Sequence, residues 1–322
     1  MTRILFSLLL MLSLTHAGEN LASWNDGTSK KNIISYVTSV TDPKNKDFIP
    51  VADRIAVFDN DGTLWSEKPM YFFLYFTMDR IIDLAPQHPE WKTEEPFKSV
   101  LQKDIKGVMK SGMEGLTKLI MATHAGMTDK AFDDLVIDWI KTAKHPTKNV
   151  HYTELIFQPM LELLNYLRDN GFKTFIVSGG GIDFMRPWAS EVYGMPSYQI
   201  IGSKLEVKYE NKQIVRYPKL RFNDDKEDKP VGIHYHIGKR PVAAFGNSDG
   251  DFAMMEYTEA NAKYKTLQLY VHHTDDKREV AYDRKSHVGK LDKGLDYAKA
   301  HDWTVVDMKK EWKVVYPFEL KK

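Results

Sequence analysis

The sequence predicts an α/β fold: a mostly parallel sheet flanked by helices, with an all-helical segment inserted after its first strand. Three compact apolar runs, at 54–58, 173–177 and 241–245, read as buried strands, and each ends in a small or acidic residue: Asp59, Ser178 and Gly246. Continuous apolar runs of this kind suit parallel strands covered on both faces. Between the first two runs, residues 69–157 change to helical periodicity. In open α/β sheets, ligands sit beyond the carboxyl ends of the strands, so the edge where these three runs end is the predicted active site.

The remaining elements follow in order. Residues 1–17 have the form of an export leader: a basic start at Arg3, an apolar run over 4–14 and a small residue at Ala17. The run is shorter than the roughly 20 residues that span a bilayer. Cleavage there predicts a periplasmic or secreted protein with no stable membrane anchor. Residues 23–50 read as a short helix followed by a polar loop. In the insertion, Met70, Phe73, Leu74, Phe76, Thr77, Ile81 and Leu84 suit one buried face. Leu116, Leu119 and Ile120 suit a second helix, and Phe132, Leu135, Val136, Trp139 and Ile140 a third. Residues 160–170 read as a helix stopped by Gly171, and 198–222 as a hairpin turning at Glu210-Asn211. A short helix is expected over 231–237, and further strands over 267–271 and 304–308. The expected organisation is a leader (1–17), an α/β core (18–66 and 159–322) and a helical insertion (67–158).

Composition narrows the chemistry. Cysteine is absent, which removes disulfides, zinc–thiolate sites and thiol nucleophiles. Lys and Arg number 45 against 44 Asp and Glu, a balance with no global attraction for nucleic acid or acidic membranes. Carboxylates, His, Ser and Lys are left to carry a reaction. Asp59 and Asp61, one residue apart after a buried strand, are costly unless a cation neutralises them. A hard divalent ion such as Mg²⁺ suits such oxygen donors. Asp59 is then a candidate nucleophile, with Asp61 the acid/base two residues on. Gly62 permits a sharp turn, and Thr63 offers a hydroxyl to a phosphoryl oxygen. Ser178 with the amides from Gly179 onward makes a second phosphate-binding corner. Asn247, Asp249 and Asp251 offer oxygens to complete the metal site.

These residues resemble a known family. The string 59–64 (DNDGTL), Ser178-Gly-Gly, a Lys before the third motif strand and 246–251 (GNSDGD) are similar to the four motifs of the haloacid dehalogenase (HAD) superfamily. The resemblance covers residues 52–255, and its motif order is similar to the phosphoserine-phosphatase-like branch with a helical cap after the first motif. It implies a Rossmann-like HAD core and an Mg²⁺-dependent phosphatase acting on small phosphate monoesters through an aspartyl-phosphate. It also implies that Asp59 attacks phosphorus. Asp61 would protonate the leaving alcohol and then activate water. The metal would be held by the Asp59 carboxylate, the Asp61 carbonyl and the fourth motif. There the sequence departs from the common pattern: Asn247 stands at the usual first Asp, Asp251 matches the last acidic position, and Asp249 is an alternative ligand.

Lys226, Lys229 and Lys239 all precede the third motif strand. A helix over 231–237 antiparallel to that strand starts at the active edge, which selects Lys229 and sends Lys239 to the opposite edge. Glu67 stands where related phosphatases hold a substrate ammonium, with a plain surface Glu as the alternative. Trp65 is a pocket wall or hinge packing, and Arg186 a phosphate contact or a surface charge. His272, His273 and Asp275 make a weak metal set, because adjacent strand residues face opposite sides. The alternatives to a phosphatase are a phosphotransferase or mutase of the same superfamily, or a non-catalytic protein that binds a phosphorylated ligand.

Overall fold

The computed structural model describes residues 21–321, and the leader segment lies outside them. In chain order the elements are α1 (Thr28–Thr41), β1 (Ile55–Phe58), α2 (Phe72–Leu84), α3 (Phe97–Leu101), α4 (Ile105–Lys110), α5 (Gly112–His124) and α6 (Asp129–Thr142). There follow α7 (Gln158–Asp169), β2 (Lys173–Gly181), α8 (Ile182–Tyr193), β3 (Ile200–Glu210), β4 (Gln213–Phe222), α9 (Asp228–Ile237) and β5 (Ala243–Gly246). The chain continues with α10 (Phe252–Glu259), β6 (Leu267–His272), α11 (Lys293–Ala300), β7 (Thr304–Asp307) and α12 (Met308–Glu311).

The seven strands lie in the order β4-β3-β2-β1-β5-β6-β7. All neighbours are parallel except β3 and β4, which form an antiparallel hairpin at one edge. Strands β1 and β5, and β2 over 175–177, are apolar because they lie mid-sheet with both faces covered. Ala56 and Phe58 face a core shared with α1, α2, α7 and α8. Ile55 and Val57 face a second core under α9, α10 and α11. Register fixes the active edge. Phe58 pairs with Ile176 on one side and Phe245 on the other, so Asp59 comes level with Val177 and Gly246.

Two departures from the expected elements matter for the site. Strand β2 runs on past Val177 to Gly181, and its pairing with β3 jumps from Ser178–Gly202 to Gly181–Ser203. Gly179 and Gly180 therefore form a bulge at the active edge, the usual device for re-aiming backbone at a site. The hairpin turns at Asn211-Lys212, one residue later than expected, with φ of 50° and 65°. Two consecutive positive φ values define the turn whose twist matches a two-residue hairpin.

The segment between β1 and α7 contributes helices and no strand to the sheet. Its longest helix shows why the periodicity was readable: Thr128 accepts the Ala131 N–H at 3.3 Å as N-cap, and Phe132, Val136 and Ile140 are buried one turn apart. Phe76 of α2 and Trp139 of α6 meet Phe184 of α8 at ring-centroid distances of 5.2 and 5.9 Å. The two fully buried Phe rings each contribute roughly 1.5–3 kcal/mol. The hairpin ties down the other flank. Arg216, 3% exposed, exchanges backbone bonds with Gly126 and Met127 and sends its guanidinium to Asp183 and the Thr128 carbonyl. Among the described residues no helix is long and apolar enough to cross a membrane.

Candidate active site

The turn after β1 is built from its own backbone. The Asn60 carbonyl accepts from the amides of Thr63 and Leu64, and the Gly62 amide donates to the Trp65 carbonyl at 2.8 Å. Gly62 has φ +78°, and a Cβ there would fall 2.0 Å from Nδ2 of Asn247, so both backbone and space require glycine. His273 closes the turn from outside: its Nε2 lies 2.7 Å from the Gly62 carbonyl and its ring stacks on Tyr282. Burial pushes the His273 imidazole down to about 3, so it is neutral and donates from Nε2. It serves as a hook on the first motif and leaves the His272–Asp275 metal set without support.

Asp59 reaches the floor of a cavity of about 250 Å³. Lys229, at the start of α9, is 2% exposed and places Nζ 2.7 Å from Asp59 Oδ1, 2.6 Å from Asp251 Oδ1 and 2.9 Å from the Val177 carbonyl. Lys239 lies at the opposite edge on Asp53. Burial disfavours the charged Lys229, but the Asp251 and Asp59 carboxylates outweigh it and hold the ammonium charged. Burial, then the charge of Asp251, drive Asp59 well above the ordinary carboxylate range.

Asp61 lines the same cavity. Burial raises its carboxyl to about 6, and the indole of Trp65, donating Nε1–H to Oδ1 at 2.8 Å, holds it from rising further. Trp65 itself is stacked on Trp188 at 4.5 Å. It is therefore neither pocket wall nor mere hinge packing, but the hydrogen-bond partner of the candidate acid. The Ser178 hydroxyl accepts the Gly180 amide at 3.0 Å, and Ser178, Gly179 and Gly180 all line the cavity.

Other expected residues are placed differently. The Thr63 hydroxyl, expected to face a phosphoryl oxygen, is fully buried, points to Asn247 Oδ1 at 3.3 Å and does not line the cavity. Glu67 is not a surface residue. It is 1% exposed and its Oε1 accepts from Asn247 Nδ2 and from the Tyr282 hydroxyl. Burial pushes the Glu67 carboxyl up to about 8. Asp249 accepts the amides of Asp292, Lys293 and Gly294, capping α11 instead of facing the site. Arg186 bonds the carbonyls of Ser197 and Ile200 and is a structural clasp, not a phosphate contact.

Asp251 was expected among the metal ligands, yet both its oxygens are engaged: Oδ1 by Lys229, Oδ2 by the amides of Asn247 and Ser248. In this structure it anchors Lys229, and it lines the cavity with Asp59 and Asp61. Among the described residues no three His, Asp or Glu side chains form a ready metal site. The donors that suit Mg²⁺ are a mixed set: the Asp59 carboxylate, the Asp61 carbonyl and Asn247 Oδ1, which here accepts from the Thr63 hydroxyl. All are hard oxygens, as that ion prefers. Charge balance also fits, since Asp59, Asp61 and Asp251 act on one another with Lys229 as their near cation.

Sequence reasoning missed Tyr282, from a loop over 200 residues beyond Glu67, and Asp225, which lines the cavity beside Gly179 and Gly250. Nothing local in the sequence marks the first. Asp225 had a signal: an acid shortly before Lys229 in a helix-start segment.

Residues 56–256 match the family described as haloacid dehalogenase-like hydrolase. No curated protein is similar enough to match the chain. A protein of unknown function from Bordetella pertussis Tohama I is similar in structure at 13% identity, covering 80% of this chain and 99% of its own, with a TM-score of 0.49. A functionally unknown protein from Anaerococcus prevotii DSM 20548 is similar at 17% identity over 76% and 86% of the two chains, TM-score 0.47. A phosphoserine phosphohydrolase-like protein from Francisella tularensis subsp. tularensis SCHU S4 is similar at 17% identity over 79% and 94%, TM-score 0.43. All three scores fall below 0.5.

Proposed function

The chain belongs to the haloacid dehalogenase-like hydrolase family, and we propose that it is a Mg²⁺-dependent phosphatase of the phosphoserine-phosphatase-like branch. One observation carries the reading: Asp59, clamped by Lys229, shares a cavity floor with the Trp65-held Asp61 and the Ser178–Gly180 bulge. An Asp59 oxygen attacks phosphorus, forming the Asp59 O–P bond as the P–O bond to the alcohol breaks. Asp61 gives its proton to the departing alkoxide. Water then attacks the phosphorus, Asp61 takes its proton, and the Asp59 O–P bond breaks to release phosphate. Lys229 orients Asp59 and offsets the charge that collects there. The Ser178 hydroxyl and the amides of the bulge bind phosphoryl oxygens. Mg²⁺, held by Asp59, the Asp61 carbonyl and Asn247, would screen the phosphate charge. A cap over residues 67–158 closes the cavity from above. The leader over 1–17 supports export, which N-terminal sequencing of the periplasmic or secreted protein would check.

The test is phosphate release from p-nitrophenyl phosphate with and without Mg²⁺. Release should require the metal and vanish in Asp59→Asn, with borohydride reduction trapping the acyl phosphate in the wild type only. Wild-type-like release by Asp59→Asn would refute the nucleophile.

A further inference from the structure

The cavity has two unlike ends. At the sheet edge it is polar, with Asp59, Asp61, Ser178 and Lys229. Away from the edge its walls are mostly carbon: Phe73 and Leu74 from α2, Leu116 and Ile120 from α5, and Leu205 and Leu220 from the hairpin, interrupted by Thr117 and by Asn223, whose Oδ1 accepts from Ser203. Asp225 lies beside Gly179 and Gly250, at the polar end, and the ionisable groups nearer the second end are engaged by neighbours. Asp183 is bound by Arg216 at 3.0 Å. His124 is 4% exposed, bonds Thr123 Oγ1 through Nδ1, and is held neutral by burial. Lys204 turns its Nζ to His236 at 3.1 Å. Glu67 also lines the cavity, with Oε1 accepting from Asn247 and Tyr282, which weakens its draw on a substrate ammonium.

An amino acid or sugar phosphate would set charged or hydroxyl groups against walls that offer them few partners, which is unfavourable. An apolar alcohol would gain from the same burial. Cavities of roughly 150 Å³ lined by aliphatic side chains hold a benzene-sized molecule. The 250 Å³ available leaves room for such a carbon skeleton beside a phosphate group. We propose that the substrate is a phosphate monoester of an apolar alcohol, an alkyl or aryl group of about six carbons, seated between α2, α5 and the β3–β4 hairpin. The proposal rests on the phosphatase reading for the reacting end alone.

The experiment compares ethyl, butyl and hexyl phosphate with phosphoserine, both as substrates of the Mg²⁺-loaded protein and as calorimetric ligands of Asp59→Asn. Each buried methylene should raise kcat/KM and affinity about fourfold, so hexyl should exceed ethyl by about 250-fold. Phosphoserine should fall below ethyl phosphate. Leu116→Asn should shrink the hexyl-to-ethyl ratio. A flat series, or a preference for phosphoserine, overturns the apolar assignment while leaving the phosphatase reading in place. If no ester is hydrolysed yet Asp59→Asn binds hexyl over ethyl phosphate by the expected ratio, the phosphatase reading fails and the apolar pocket stands.

Discussion

The contact between Trp65 and Asp61 allows a sharp test of the acid/base assignment. The indole donates to Asp61 Oδ1 at 2.8 Å, in a site where Trp65 is 1% exposed and Asp61 is half-buried at the cavity. Trp65→Phe removes the donor while keeping an aromatic ring against Trp188 and Phe72. A hydrogen bond to a charged group contributes roughly 1.5–3 kcal/mol. At 1.36 kcal/mol per pKa unit, its loss moves Asp61 upward by about 1–2 units, from about 6 to about 7–8. The direction follows from chemistry: the indole stabilises the ionised carboxylate, so removing it favours the protonated acid.

With p-nitrophenyl phosphate the leaving group needs no proton, and the step that calls on Asp61 is activation of water by its ionised form. The acid limb of kcat should therefore lie near pH 6 in the wild type and about 1–2 units higher in Trp65→Phe. At pH 6.5 the variant should be about tenfold slower, recovering as the pH is raised. Asp61→Asn should abolish the limb. A Trp65→Phe variant that is uniformly slower at every pH would make Trp65 a packing residue only. An unshifted limb at full rate would refute the link between Asp61 and the pH profile.

Two further predictions concern buried polar groups. Asp224 is fully buried, neither carboxyl oxygen has a partner among the described residues, and burial raises it to about 7. Because its folded pKa is raised, the stability it supports is present below about pH 4 and is lost as the pH climbs to 7. Asp224→Asn should gain on the wild type across that window, by up to about 4 kcal/mol, read as a widening difference in Tm. A difference that does not change with pH would refute the burial argument. At the metal, Asn247→Asp should lower the Mg²⁺ concentration for half-maximal activity, because a carboxylate replaces a neutral amide oxygen. An unchanged concentration, with Asp251→Asn raising it strongly, would move the ligand to Asp251 and contradict the contacts of that residue with Lys229.

The backbone was more legible than the contacts. Runs 54–58, 173–177 and 241–245 could be read because parallel mid-sheet strands must be apolar on both faces, and the register then brings their ends level. Helix direction selected Lys229 among the three lysines that the family resemblance brought forward, since a helix returning to the sheet starts at one edge and ends at the other. What could not be read is where each polar atom spends its hydrogen bonds. Asn247, Asp249 and Asp251 look alike as oxygen sources, yet one faces Thr63 and Glu67, one caps α11 and one holds Lys229. The deciding partners are supplied from far along the chain: Glu67 from 180 residues away, the α11 amides from over 40, Lys229 from 22. The C-terminal segment shows the same limit. Its strand β7 was expected, but not that Trp312 would meet Trp24 and Tyr316 would bond Ser66, fastening the chain end beneath the first motif. A buried polar group must find a partner wherever the fold brings one. Local pattern therefore predicts which residues reach the active edge, and tertiary hydrogen bonding assigns each its work there.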